Sequence, residues 1–376
     1  MPTKQTETNS HQLFLLFSKN VKLLTWKNSG YLTRENTYYQ KMLQSFNKIT
    51  WITYGGKEDS QLTKEIKKVS ILNNESDLSP KQYLNNIAIK LTQHKSGKYV
   101  LKTNQLSSAY DAYKIHKNTN IPYVIRCGNV RNYWIHKKGL ISKLVTWIQL
   151  KLSMNHAQAL IVPTNQEANY AKKLLLLPSS KIKVIPNFVD TELFKPSNTP
   201  KTNKICYVGS FKQAKNLTNL VLSLAGLADI ELRLIGDGPE RQKLEKLASE
   251  VGVNIEFLGV KPQNELPELL NECQCFVFPS LYEGHPKALI EAMSCELPVI
   301  TTPVYGIKNI ITHNINGYLC NDTTPQSIKQ GITNVLNDPK LKNLMAINAR
   351  KTILKEYSLE VVLEKEIELY KDLNLV

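Results

Sequence analysis

Short apolar runs rich in β-branched residues alternate with helix-length amphipathic stretches along nearly the whole chain, and the alternation occurs in two series. In the first half the spacing predicts strands at 21–26, 49–55, 99–104, 122–128, 159–163 and 182–185, with helices between them, for example at 33–46 and 109–117. In the second half it predicts strands at 205–209, 231–236, 255–259, 275–279, 298–302 and 317–319, again with a helix after each. A strand that is apolar on both faces, followed by a helix and another such strand, belongs to a parallel sheet covered on both sides. The fold class is therefore α/β, with two doubly wound sheets, and 376 residues suit two domains of ordinary size.

The two series are separated by a stretch from Pro186 through Pro196 and Pro200 that is polar and without periodicity, as in a linker. The expected organisation is a polar tail over 1–18, a Rossmann-like domain over 19–185, a linker over 186–203, a second Rossmann-like domain over 204–356, and a C-terminal helix within 357–376. No apolar run approaches the ~20 residues of a membrane span, and residues 13–17 are too short for a signal-peptide core. The expected location is the cytosol. Cys127, Cys206, Cys273, Cys275, Cys295 and Cys320 show no zinc-ligand spacing and read as core residues. Neither an Asp-x-Asp motif nor a His/Cys/Asp cluster offers a metal site, so no metal and no resident cofactor are expected.

Charge divides the chain unevenly. Residues 1–195 hold 29 Lys and Arg against 11 Asp and Glu, and no acidic residue lies between Asp111 and Glu167. An excess confined to one half implies an anionic partner for that half: nucleic acid, a phospholipid surface or a phosphate-bearing acceptor. The candidate contacts are Arg131, Lys137, Lys138, Lys143 and Lys151. Over 139–155, Ile141, Leu144, Val145, Ile148 and Leu152 share one helical face, with Trp147 at its edge. That pattern fits a core-facing helix and a membrane-surface helix equally. The chain has no helix-turn-helix, zinc-finger or aromatic RNA-binding signature, which leaves nucleic-acid binding as a rival function only.

The densest chemical signal is a strand, a turn and a helix around Glu283-Gly284-His285-Pro286-Lys287-Ala288-Leu289 and Glu291. Glycine allows a close backbone approach and proline suits the first helical turn. The N–H groups of Lys287, Ala288 and Leu289 would then form an anion site suited to a diphosphate, with Glu283 and Glu291 placed to accept hydrogen bonds from sugar hydroxyls. A second signal runs from Gly209 and Ser210 to Lys212 and Lys215, where a lysine over a diphosphate would neutralise the charge that grows on the leaving group. Both turns, with those at 236–239 and 259–261, follow strands, at the edge where open parallel sheets bind ligands.

These residues resemble the donor domain of the GT-B glycosyltransferases, in particular the large retaining family called glycosyltransferase family 4 or glycosyl transferases group 1. Its signature of two glutamates separated by seven residues is matched by Glu283 and Glu291, its glycine-to-lysine loop by Gly209–Lys215, and its interdomain phrase by residues 185–190 and Phe194. The likeness is strong over 180–360 and weaker over 20–175, where Ser29-Gly30-Tyr31 resembles the family's first glycine-bearing loop. It implies two Rossmann-like domains facing across a cleft, a C-terminal helix crossing back to the first, and a metal-independent retaining transfer from a nucleotide-sugar. It further implies that Glu291 holds the ribose, Glu283 a donor-sugar hydroxyl and Lys215 the diphosphate, with Val260 meeting the base through its backbone. Gly30, Gly209, Ser210, Lys212, Gly284, His285, Pro286, Lys287, Ala288 and Leu289 complete the expected donor site.

Two positions depart from the family pattern. Ser210 replaces the loop arginine, which shifts the diphosphate onto Lys215 with help from Lys212. Gly128-Asn129, preceded by Arg126, stands where many relatives have His-Asp. No imidazole is offered there, and Arg126 is either a catalytic group or half of a structural ion pair. The acceptor expected from the resemblance and the basic half is a glycan or lipid-linked glycan in cell-surface polysaccharide or lipopolysaccharide synthesis. A GT-B nucleotide-sugar epimerase or hydrolase is the enzymatic rival.

Overall fold

The computed structural model of the chain describes residues 10–66, 68–92, 97–135 and 139–376. They form two compact units, one of residues up to 185 together with 363–376, the other of residues 186–362.

The first unit is built on seven parallel strands: β1 His11–Leu16, β2 Lys48–Ile52, β3 Ser70–Leu72, β4 Lys98–Thr103, β5 Tyr123–Arg126, β6 Ala159–Val162 and β7 Ile182–Val184, in the order β3-β2-β1-β4-β5-β6-β7. The tail expected over 1–18 is corrected from His11 onward, and residues 1–9 lie outside the described residues. Residues 13–17 are wholly or almost wholly buried, and β1 pairs with β2 on one side and β4 on the other in the interior of the sheet. The strand expected at 21–26 is also corrected, since Leu23–Asn28 is a short helix. Its start is fixed from far away: the Asp59 carboxylate accepts the Leu23 N–H at 3.0 Å and the Thr53 hydroxyl at 2.6 Å. Trp26 of this segment serves packing, stacked on Phe17 at 4.1 Å and edge-on to Trp51 at 5.4 Å.

The second unit has six parallel strands, all six at the predicted places: β8 Lys204–Val208, β9 Glu231–Ile235, β10 Ile255–Gly259, β11 Cys275–Phe278, β12 Val299–Thr301 and β13 Tyr318–Leu319. Their order is β10-β9-β8-β11-β12-β13, so the winding reverses between β8 and β11. The expected linker at 186–203 lacks regular helix or strand but is no free tether. Val189 and Phe194 are buried in the core of this unit, and the Arg350 guanidinium donates to the carbonyls of Phe194 and Thr191 at 2.7 and 3.1 Å. The six cysteines are buried. No helix among the described residues is long and apolar enough to cross a membrane.

Candidate active site

In an open parallel sheet the loops that leave two adjacent strands on opposite faces part at the point where the winding reverses, and a ligand fits between them. In the second unit those are the loops after β8 and β11, which carry the two motifs of the sequence. They are tied together by backbone and side chain. Leu281 N donates to Ala214 O at 2.9 Å, and the buried Asn216, itself in a left-handed conformation, donates through Nδ2 to Pro279 O and Thr323 O at 3.0 Å. Two glycines let the neighbouring loops, after β9 and β12, pack against them. A Cβ at Gly236 would lie 2.0 Å from Gly209 O, and one at Gly306 would lie 2.0 Å from Gly284 O, so neither place accepts a side chain.

Between these loops Lys215 Nζ stands 2.5 Å from Glu283 Oε1, and Ser280 Oγ donates to the same oxygen at 2.7 Å. Helix Lys287–Ser294 begins just beyond, with Pro286 as its N-cap and no side chain capping its first turn. The turn before it is held by Asn187, whose Nδ2 donates to His285 O at 2.8 Å, while the His285 ring lies against Tyr357 at 5.1 Å. About one turn into the helix, Glu291 is buried and its Oε1 accepts from Gln263 Nε2 at 3.0 Å. Gln263 follows β10 by four residues, and nothing in the local sequence distinguishes it from a surface glutamine. Val260, in the same loop, is exposed. Gly209 and Ser210 open the β8 loop, and Lys212 extends from it into solvent.

This arrangement places a cation, a helix N-terminus and two carboxylates at one sheet edge. It can hold a diphosphate and the hydroxyls of the groups attached to it. Comparison with known proteins decides the family. Residues 189–352 match the family described as glycosyl transferases group 1, and residues 47–193 match glycosyltransferase family 4. The chain belongs to the GT-B glycosyltransferases. Such an enzyme moves a sugar from a nucleotide-sugar donor. An uncharacterized glycosyltransferase of Methanocaldococcus jannaschii is 27% identical over 73% of this chain and 84% of its own length. The N-acetyl-α-D-glucosaminyl L-malate synthase of Bacillus anthracis is 27% identical over 53% of this chain and 55% of its own. Among solved structures, Anabaena HepE in complex with UDP and glucose superposes with a TM-score of 0.78 at 15% identity, over 96% of this chain and all of its own.

The remaining predicted residues of the glycosyltransferase lie in the first unit. Gly30 has φ of 72° and starts helix Tyr31–Met42, one short helix beyond β1. Arg126 ends β5, and its Nη1 is 3.5 Å from Glu366 Oε2, so the ion-pair alternative is realised in the geometry. Glu366 comes from the C-terminal helix Leu359–Asp372. It is wholly buried and also meets Lys102 Nζ, Tyr38 OH at 2.7 Å and Tyr370 OH at 2.9 Å. Burial alone would raise its carboxyl; Lys102, Arg126 and the hydrogen bonds outweigh this and hold it below the ordinary carboxylate range.

Among the basic candidates, Arg131 is exposed near the start of helix Val130–Ile135, whose first N–H groups are accepted by the buried Glu167 carboxylate. Lys137 and Lys138 lie outside the described residues. Lys143 is half-buried on helix Leu140–His156. Lys151 is corrected: its ammonium donates to Leu175 O at 2.8 Å and Leu176 O at 3.0 Å, capping helix Asn165–Leu175 rather than facing a partner. On helix Leu140–His156 the core side is formed by Leu150 and Met154, while Ile141 and Leu144 are 81% and 59% exposed. The predicted apolar stripe therefore faces away from the core of its unit.

Proposed function

We propose that this glycosyltransferase acts with retention and without a metal, and that its second unit binds the nucleotide-sugar. Glu291 takes the ribose, Lys215 the diphosphate with Lys212 assisting, Glu283 a hydroxyl of the donor sugar, and the Val260 backbone the base. Gly209, Ser210 and the segment from Gly284 to Leu289 line the site. The observation that carries this is the convergence of Lys215, Glu283 and the start of helix Lys287–Ser294 beside the winding reversal. In the reaction the acceptor oxygen bonds to the anomeric carbon on the face from which the diphosphate leaves. The departing phosphate oxygen takes the acceptor proton, so no imidazole is required. Arg126, paired with Glu366 at the carboxyl edge of the first sheet, is the catalytic candidate of the first unit in this reading.

Glu291→Ala is expected to weaken nucleotide binding by about 1.5–3 kcal/mol, the worth of hydrogen bonds to a charged group, with the fold retained. Titration calorimetry with UDP, GDP and ADP checks it. Affinity equal to the wild type for every nucleotide would remove the ribose assignment.

The acceptor in this reading is a glycan or lipid-linked glycan at the cytosolic membrane face. Support comes from the basic first half and from the apolar stripe turned away from the core on helix Leu140–His156. The protein is expected to sediment with phosphatidylglycerol vesicles at low salt and to be released as salt rises, since each basic residue near an anionic surface contributes about 1 kcal/mol. The double substitution Ile141→Asp and Leu144→Asp should abolish sedimentation without lowering the melting temperature. Unchanged sedimentation of that variant would remove the stripe from the contact, and failure of the wild type to sediment would count against the membrane surface and leave a soluble anionic acceptor.

A further inference from the structure

The oxygen Glu283 Oε1 has two partners of different kinds. Lys215 Nζ reaches it at 2.5 Å from the β8 loop, and Ser280 Oγ donates to it at 2.7 Å from its own turn. Ser280 is wholly buried, and its carbonyl accepts from Thr302 Oγ1 at 2.6 Å, so the hydroxyl is fixed by the core. The lysine side chain is 23% exposed and the glutamate 10%, so the pair is sheltered enough to be stronger than an ordinary surface pair. A diphosphate at the start of helix Lys287–Ser294, as the proposed function has it, would draw Lys215 off Glu283. It would then leave a sheltered carboxylate without its cation.

We infer that this pair makes the site discriminate a nucleotide-sugar from the bare nucleoside diphosphate. The diphosphate takes Lys215, a hydroxyl of the donor sugar takes the place of Nζ at Glu283 Oε1, and Ser280 keeps that oxygen in position through the exchange. The inference rests on the assignment of Lys215 to the diphosphate and Glu283 to the donor sugar. A nucleotide carrying a sugar replaces the interaction it breaks, whereas the bare nucleotide breaks the pair and offers Glu283 nothing. Once the sugar has been transferred, re-formation of the pair works against the spent nucleotide and favours its release. Ser280 is thus a positioning residue.

Titration calorimetry of the wild type, Glu283→Gln and Ser280→Ala, with UDP against UDP-glucose, GDP against GDP-mannose and ADP against ADP-glucose, tests this. Glutamine keeps the shape of the side chain and removes its hold on the lysine charge. Glu283→Gln is expected to bind the bare nucleotide about tenfold tighter than the wild type and to lose about tenfold of the preference for the sugar-bearing form. Ser280→Ala should lower that preference by a few-fold while changing bare-nucleotide affinity little. A purely structural pair predicts a lower melting temperature with bare-nucleotide affinity unchanged or weakened, and that result overturns the proposal. Should the glutamine variant fail to fold, Ser280→Ala decides, an unchanged preference being the overturning result. Wild-type turnover in Lys215→Ala would instead remove the diphosphate assignment beneath it.

Discussion

Glu366→Ala is expected to lower the stability of the first unit by about 3–5 kcal/mol, the usual cost of removing one partner from a buried ion pair. The carboxylate is wholly buried and is shared by Lys102, Arg126, Tyr38 and Tyr370. Its loss leaves Lys102, itself buried between the rings of Tyr38 and Tyr39, as a charge with no counter-ion, and two tyrosine hydroxyls without their acceptor. Tyr370→Phe removes only one neutral donor and should cost about 1 kcal/mol. All four tryptophans, Trp26, Trp51, Trp134 and Trp147, belong to the first unit, so tryptophan fluorescence during urea unfolding reports that unit. The pH dependence has a definite sign. Because the folded carboxyl lies below its ordinary value of 4.5, its contribution is complete above that pH and is lost as pH falls through the folded value. A loss under ~1 kcal/mol in Glu366→Ala would mean that the cluster relaxes into solvent and does not fasten the C-terminal helix.

That cluster was not legible in the sequence, and the reason is physical. The helix over 359–373 could be read from its periodicity, but the value of Glu366 depends on Lys102, 264 residues away, and on Tyr38, 328 residues away. The same limit explains the misplaced start of the first unit. An interior parallel strand is a brief apolar run, and His11–Leu16 directly follows a polar stretch of sequence that reads as a tail. Residues 21–26 carry strand-like side chains, yet Asp59 takes the Leu23 N–H and turns the segment into a helix. In the second unit β8, β9 and β11 are followed directly by Gly209, Gly236 and Pro279, and helices separate the strands, so local signals and the fold agree and all six strands could be placed. Site residues follow the same division. Glu283, Glu291 and Lys215 are marked by spacing within motifs, whereas Gln263, Ser280 and Gly306 matter only through what the fold brings beside them.

Lys215→Ala is expected to lower turnover by about a hundred- to a thousandfold, or ~2.7–4 kcal/mol, with little change in stability. The leaving diphosphate carries more charge in the transition state than in the bound donor, so a cation at its side acts chiefly on the rate. The geometry adds a second reason for the split. In the ligand-free protein Lys215 already has a partner in Glu283, and binding the donor exchanges one anionic contact for another. Removing the lysine therefore takes little from ground-state affinity and nearly all of its effect from the transition state. Stability should survive because Glu283 keeps the Ser280 hydroxyl, and the loop after β8 keeps its ties from Leu281 to Ala214 and from Asn216 to Pro279. Lys212 is exposed in the same loop, and Lys212→Ala should reduce turnover far less, because a solvated ammonium is screened from the diphosphate. Steady-state kinetics at saturating donor, with melting curves for both variants, separates these effects. If Lys212→Ala has the larger loss, the exposed lysine has taken the place of the arginine that Ser210 replaces, and the Lys215–Glu283 pair is then part of the scaffold rather than of the chemistry.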